Sequence, residues 1–194
     1  MAKVIAPLFS TKASGKLAKS LVYLSWKGID DVRSYVIPAN PRTEKQQAQR
    51  SKMTQAVADY HASSFTSSDI QAWNLFASIL PIPVSGFNAF VREHILSAIA
   101  GKTWVILSNV VKGTPSGGSI TITVNSPSDA SAKLYYGTSK TAMPNEVTGT
   151  FSSTEKKWTF QITGLSAGVL YYFYIKNTAS GTAGRTGIYS FTAA

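Results

Sequence analysis

Residues 157–174 read KWTFQITGLSAGVLYYFY, and this stretch decides the fold. Trp158, Phe160 and Ile162 alternate with polar residues, which is the period of a strand that buries one face. The segment 164–168 begins and ends with glycine and interrupts the pattern. The run that follows is too short and too rich in Tyr and Phe for a helix, so it predicts a second strand.

A tyrosine follows this turn closely. In β-sandwich domains a tyrosine at such a corner packs its ring in the core, and its hydroxyl bonds to backbone a few residues upstream. The stretch therefore predicts a structural tyrosine corner at Leu165, Gly168 and Tyr171.

Short strand-like runs recur throughout the second half of the chain, separated by Gly, Ser, Pro, Asn and Thr. They cover residues 104–111, 119–124, 132–136, 157–162, 170–175 and 187–192. This spacing predicts an all-β, immunoglobulin-like sandwich over residues 103–194. Several tyrosines are adjacent in sequence, so some must point outward. Outward tyrosines either contact sugars or protein partners, or form ordinary cross-strand pairs.

The N-terminal region differs from the second half in composition and in predicted elements. Residues 1–20, rich in Lys, Ser, Ala and Gly, are expected to form a flexible or partner-ordered arm. Residues 21–26 and 32–37 predict a β-hairpin, with residues 27–31 as its turn. Because an isolated hairpin is marginal in water, it must pack on helices or on a neighbouring subunit.

Three helices are predicted to follow the hairpin. The first covers residues 44–63, the second is capped by Ser67 or Ser68, and the third is capped by Ser85 and ends at Gly101. The expected apolar stripes are Met53, Ala56, Val57 and Tyr60; Ile70, Trp73, Ala77 and Leu80; and Phe87, Phe90, Val91, His94, Ile95 and Ala98. Hairpin and helices together predict an α+β domain over residues 21–102.

Composition excludes several kinds of chemistry. The 194 residues include no Cys, which rules out disulfides, thiolate catalysis and Cys-based metal sites. The formal net charge of +10 favours acidic partners, yet no Lys/Arg cluster marks a dedicated nucleic-acid site. Neither a signal peptide nor a membrane span is evident, so we expect synthesis in the cytoplasm and no membrane contact.

No catalytic constellation emerges from the motifs. His61 and His94 have no metal-ligand spacing and are interpreted as structural. The adjacent Asp30 and Asp31 offer a cation or acid–base site, but their context favours turn residues. No phosphate-binding loop or nucleophile elbow is present. We therefore predict no enzyme activity, no catalytic residues, no metal and no cofactor.

DNA binding is the alternative from a different class. Three short helices with aromatic residues are loosely similar to the HMG box, and Lys45, Arg50 and Lys52 with neighbouring glutamines could contact phosphates and base edges. Against this, the basic residues are sparse for an architectural DNA-binding protein. A solvated polar helix face explains the same residues.

The second half resembles the fibronectin type III family. Leu165-x-x-Gly168-x-x-Tyr171 matches the corner before that family's sixth strand, and residues 134–139, LYYGTS, match the end of its third strand. The usual tryptophan of the second strand is missing, and either Trp158 or Trp104 is expected to fill its volume. The resemblance implies a spacer, adhesion or recognition module.

The first half resembles a segment of phage and prophage proteins that carries no known activity. The resemblance covers ordered motifs: WKGID at 26–30, VRSY at 32–35, NPRT at 40–43, QQxQR at 46–50, WN at 73–74 and SGFNxF at 85–90. It implies a component of a virion.

Together these patterns predict a non-enzymatic structural protein of a phage virion, of the capsid decoration or head-fibre type. The N-terminal domain would anchor it to capsid, neck or tail proteins as a homo-oligomer, and the sandwich would project. The expected anchoring residues are Trp26, Tyr35, Arg42 and Arg50. Weak contact with nucleic acid or a glycan stays open, and so does a role as a tail or neck adhesion component.

Overall fold

The computed structural model describes residues 2–3, 14–27, 29–37 and 39–194, with the side chains of residues 2, 3 and 26 outside that description. The chain divides into two compact units, Met1–Thr43 and Glu44–Ala194. The predicted division lay between residues 102 and 103. The observed division lies elsewhere because the three helices pack onto the strands that follow them and share a hydrophobic core with Ile188.

The first unit contains one four-stranded antiparallel sheet with the order β1-β4-β3-β2. Its strands are β1 (Ala2–Lys3), β2 (Gly15–Leu17), β3 (Leu21–Trp26) and β4 (Ile29–Ser34). The two edge strands fall within residues 1–20, where the sequence predicted a flexible or partner-ordered arm. For the described residues of that segment the prediction was wrong, because pairing with β3 and β4 satisfies their backbone groups. Residues 4–13 of the predicted arm lie outside the described residues.

The central hairpin is registered differently from the prediction. Trp26 pairs with Ile29, so β4 begins three residues before the predicted strand and ends before Tyr35. Asp30 and Asp31 are consequently strand residues, half-buried and paired with β3, and not turn residues. The reason is the short connection, in which Lys27 has a φ of 50°, as tight hairpin turns require.

The second unit begins with α1 (Glu44–Ala62), α2 (Ser67–Ser78) and α3 (Gly86–Ile99). Ser85 caps α3 as predicted, with its hydroxyl accepting a hydrogen bond from the backbone N–H of Asn88 (3.3 Å). Thr66 caps α2, in place of the predicted Ser67 or Ser68. The cause is a capping box, in which Thr66 Oγ1 accepts from Asp69 N–H while the Asp69 carboxylate accepts from Thr66 N–H.

Two four-stranded antiparallel sheets follow, with the orders β10-β11-β7-β6 and β14-β12-β8-β9, and a short parallel pair of β5 with β13. The unit is therefore mixed α+β, and with the sheet of the first unit the described chain is mostly β. The strands are β5 (Thr103–Trp104), β6 (Ser108–Lys112), β7 (Ile120–Asn125), β8 (Ala132–Gly137), β9 (Asn145–Thr148), β10 (Thr150–Ser152), β11 (Lys157–Ile162), β12 (Leu170–Asn177), β13 (Thr182–Ala183) and β14 (Tyr189–Thr192).

One hydrophobic core lies between these two sheets. Ile122 and Phe160 come from one sheet, Leu134 and Phe173 from the other, and all four are completely buried. Trp158 belongs to this core, whereas Trp104, the other candidate for the missing tryptophan, packs against the helical core. Period-two alternation in β7, β11 and β12 thus buries one face of each strand.

A second core lies among the helices and is completed from the sheets. Trp73 of α2 and Phe90 of α3 are its largest buried side chains, and Ile188, just before β14, is buried with them. The N–H of Ile188 donates a hydrogen bond to Ala72 O (3.0 Å). At Gly187 an added Cβ would lie 2.3 Å from the carbonyl carbon of Ala72, so the two backbones touch. Helices and sheets therefore form one unit.

Candidate interaction surfaces

The four predicted anchoring residues are divided between the two units. Trp26, Tyr35 and Arg42 belong to the first unit, and Arg50 is an exposed residue of α1 in the second. Trp26 lies beside the hairpin turn, while Tyr35 follows the opposite end of the hairpin. Five residue steps separate these ends, which corresponds to about 17 Å of strand. Arg42, with a φ of 48°, is exposed on the segment leading to α1.

Tyr35 has the best-defined surroundings of the four. Its N–H donates to Ser20 O (2.7 Å), and the Nζ of Lys16 lies 5.0 Å from the centroid of its ring. Lys16, Arg33 and Tyr35 line a concavity of about 420 Å³ together with Val36. The motif that contains Tyr35 also contains Arg33, but the sequence did not indicate that Lys16 lies beside them.

The surface of the first unit is apolar near this concavity. Val36 and Ile37 are 69% and 75% exposed. Among the residues of this unit whose side chains the structure describes, none is buried. Most soluble domains bury their large aliphatic side chains, so a unit with this profile carries its apolar surface toward solvent. We call the patch formed by Tyr35, Val36 and Ile37 the strand-end patch.

In the second unit, Asp69 connects the helices to the sheets. Its side chain is 0% exposed, and its carboxylate accepts hydrogen bonds from the N–H groups of Asn109 (3.0 Å) and Val110 (3.2 Å) and from the Tyr189 hydroxyl. Burial, and then the charge and hydrogen bond of Asp69, raise the pKa of Tyr189 far above its ordinary value. A Thr-x-x-Asp pattern signals a helix start. No sequence signal predicts that this carboxylate also reaches β6 and β14.

His94 forms a second polar contact within the helical layer. Its Nε2 lies 2.7 Å from Asp59 Oδ2, and its Nδ1 is buried without a hydrogen-bond partner. Within the described part of the chain, no three His, Cys, Asp or Glu residues cluster as metal ligands do. No helix there is long and apolar enough to cross a membrane.

The predicted corner residues lie next to one another. The N–H of Ser166 donates a hydrogen bond to the hydroxyl of Tyr171 (3.2 Å), and Leu165 and Tyr171 are buried in the core between the sheets. Gly168 has a φ of 76°, a conformation that residues with a Cβ rarely adopt. These contacts fix the connection between β11 and β12.

Arg185 is the functional candidate that the sequence analysis missed. Its guanidinium carbon lies 3.8 Å from the ring centroid of Phe76 and 4.9 Å from that of Tyr174. Burial lowers the pKa of this guanidinium, and the nearby Glu93 partly offsets the effect. An isolated arginine in a Gly-rich loop gives no sequence signal of such a position.

No protein-family model matches this chain, and no curated protein matches it. Among solved structures, the bromine derivative of BhCBM56 shares 13% identity at a TM-score of 0.34, covering 43% of this chain and 88% of that chain. Chitinase ChiW from a Paenibacillus strain, a cell-surface-expressed multi-modular enzyme, shares 14% identity at 0.35, covering 47% of this chain and 8% of that chain. Astrotactin-2, a vertebrate-specific perforin-like membrane protein, shares 10% identity at a TM-score of 0.36, covering 57% of this chain and 30% of that chain. At these identities and TM-scores, none supports an argument about this chain.

Proposed function

We propose that this chain is a non-enzymatic structural protein of a phage virion, in which the first unit anchors to other virion proteins and the second unit projects as a decoration. One observation carries the proposal: among its described side chains, the first unit buries none and exposes Val36 and Ile37. Such a unit is best explained as one that another subunit covers. The motif resemblance of the first half supports a virion as the place of assembly.

Residues 103–194 of the second unit are proposed to be a fibronectin type III module. In immunoglobulin-type sandwiches, strands A, B, E and D form one sheet and strands C, F and G the other. The orders β6-β7-β11-β10 and β8-β12-β14, with β9 added beside β8, agree with that arrangement. The Tyr171–Ser166 hydrogen bond supports it as well.

The strand-end patch would contribute most of the anchoring free energy. Burying a large aliphatic side chain stabilises an interface by about 1.5–3 kcal/mol, so Val36 and Ile37 together contribute roughly 3–6 kcal/mol. Lys16 and Arg33 lie beside the patch. Cations at the rim of an apolar patch direct it toward an acidic neighbour and set the rate of association.

The direct test is mass spectrometry of tailed phage particles purified by density gradient from cells whose genome encodes this chain. We expect its peptides in the particles in a fixed ratio to the capsid proteins. If the chain is expressed but stays in the soluble fraction, the virion proposal is wrong.

A second test addresses the anchoring surface in the full chain. Light scattering after size exclusion should show a defined oligomer, and Val36→Ser with Ile37→Ser should weaken it by roughly 10²–10⁴-fold in dissociation constant. Val111→Ser is the matched control, because Val111 is 60% exposed on β6 in the second unit. A monomer that binds random duplex DNA tightly, with strong salt dependence, would instead favour the DNA-binding alternative.

A further inference from the structure

A cleft of about 220 Å³ opens on the second unit where α3, β5, β12 and the segment containing β13 meet. Its charged lining residues are Glu93, Lys102, Lys176 and Arg185, and Trp104 forms part of an apolar wall. Small-molecule sites usually have volumes of about 300–1,000 Å³, so this cleft is too small for a typical cofactor or metabolite.

Arg185 is held in place at this cleft without a salt bridge in the described part of the chain, although Glu93 is near enough to raise its pKa. Its side chain stacks on Phe76 and Tyr174, and its Nε donates to Thr186 O (3.2 Å). None of the ion pairs in the described part of the chain includes Arg185. A guanidinium fixed by aromatic stacking loses little further entropy on binding, and its outer nitrogens match a carboxylate in a bidentate manner.

The charges around Arg185 leave the cleft positive. Lys102 and Lys176 are exposed at its edge. Glu93 is the single acidic lining residue, and its Oε1 accepts a hydrogen bond from Arg92 (2.6 Å). Three cations therefore face one carboxylate that already has a partner, so an incoming anion meets a favourable field.

We propose that this cleft binds one carboxylate side chain, Asp or Glu, presented by the acidic surface of a partner protein. The volume suits a single side chain, and the wall at Trp104 can contact its methylene groups. Duplex nucleic acid is disfavoured, because its binding depends on many surface cations along the phosphate backbone. The proposal rests on the second unit alone and is independent of the anchoring surface and of the virion assignment.

The test is a nuclear magnetic resonance titration of the full, ¹⁵N-labelled chain with hexaglutamate peptide. The sequence has five arginines, so the arginine Nε–H region of the spectrum contains few signals. The signal that disappears in Arg185→Lys is assigned to Arg185. We expect that signal to shift and saturate with hexaglutamate but not with hexaglutamine. Equal, non-saturating shifts of all arginine signals would show nonspecific attraction and overturn the proposal.

Substitutions of the cleft cations test whether hexaglutamate binds at this cleft. We expect Lys102→Gln with Lys176→Gln to weaken hexaglutamate binding at least tenfold, and Arg185→Gln to weaken it further. Lys140→Gln, at an exposed lysine away from the cleft lining, should have no effect. If Arg185→Gln unfolds the chain, the exposed lysine pair still decides the question. Wild-type affinity in the lysine variant, or saturation of the Arg185 signal by duplex DNA and not by hexaglutamate, would overturn the carboxylate assignment.

Discussion

Replacing Asp69 should be among the most destabilising single changes in the second unit. This carboxylate is fully buried and accepts from two backbone N–H groups of β6 and from the Tyr189 hydroxyl, besides capping α2. In Asp69→Ala these donors lose their acceptor, and each buried unsatisfied group costs about 1–3 kcal/mol. Counting the Val110 N–H and the Tyr189 hydroxyl, plus about 1 kcal/mol for the cap, gives roughly 3–7 kcal/mol.

Asp69→Asn separates the loss of the charge and of one acceptor from the loss of side-chain volume. The amide has the same shape, but its nitrogen cannot accept, so at least one donor remains unsatisfied and the expected loss is about 1–3 kcal/mol. Urea unfolding followed by tryptophan fluorescence and circular dichroism measures both losses in the full chain. Asp129→Asn is the matched control, because Asp129 is exposed and should change stability by no more than about 0.5 kcal/mol. A loss below about 1 kcal/mol for Asp69→Ala would refute the assignment of Asp69 as the connection between helices and sheets.

Two further outcomes follow from the same contact region. The pKa of Tyr189 is raised in the folded state, so the stability it contributes is complete below the unfolded-state value of 10.0 and is lost as the pH rises above it. Tyr189→Phe should therefore lose less stability between pH 9.5 and 11 than the wild type, as measured by urea midpoints, and identical pH profiles would contradict this linkage. Gly187→Ala should cost about 1–3 kcal/mol in thermal unfolding, since its Cβ would overlap the Ala72 carbonyl carbon at 2.3 Å. An unchanged melting temperature would mean that the two backbones can separate freely.

The sequence predicted those features of the fold that arise from local patterns. Alternation located β11, strand-like apolar and aromatic runs between turn residues located β7 and β12, and the 3.6-residue period located the helices, because each pattern arises within a single element. The strands β9 and β10 were not predicted, since they are short, and most of their residues remain exposed. The two edge strands of the first unit were missed for a related reason: edge pairing uses backbone groups, which carry no side-chain signal.

Long-range partners were beyond sequence reasoning, and the stripe predicted for α2 illustrates why. Trp73 and Ala77 are buried as predicted, but Ile70 is exposed, and Ala72 and Phe76 are buried although no stripe included them. A helix that contacts α3 on one side and the sheets on the other has two buried faces, so a single stripe cannot describe it. The same holds for Arg185, whose position depends on rings from α2 and β12 that are distant in sequence.

The contacts between helices and sheets also bear on the HMG-like alternative. An HMG-like box must fold as an independent helical domain, whereas here Ile188 completes the core around Trp73 and Phe90. Asp69 satisfies N–H groups of β6, and the Gly187 backbone lies against Ala72. Separating the helices from the sheets would expose this core and remove the donors that β6 and Tyr189 supply to the Asp69 carboxylate, so the two layers should unfold together. Whatever partner binds the helices therefore meets them as one face of a single α+β unit, with the Arg185 cleft at the same junction.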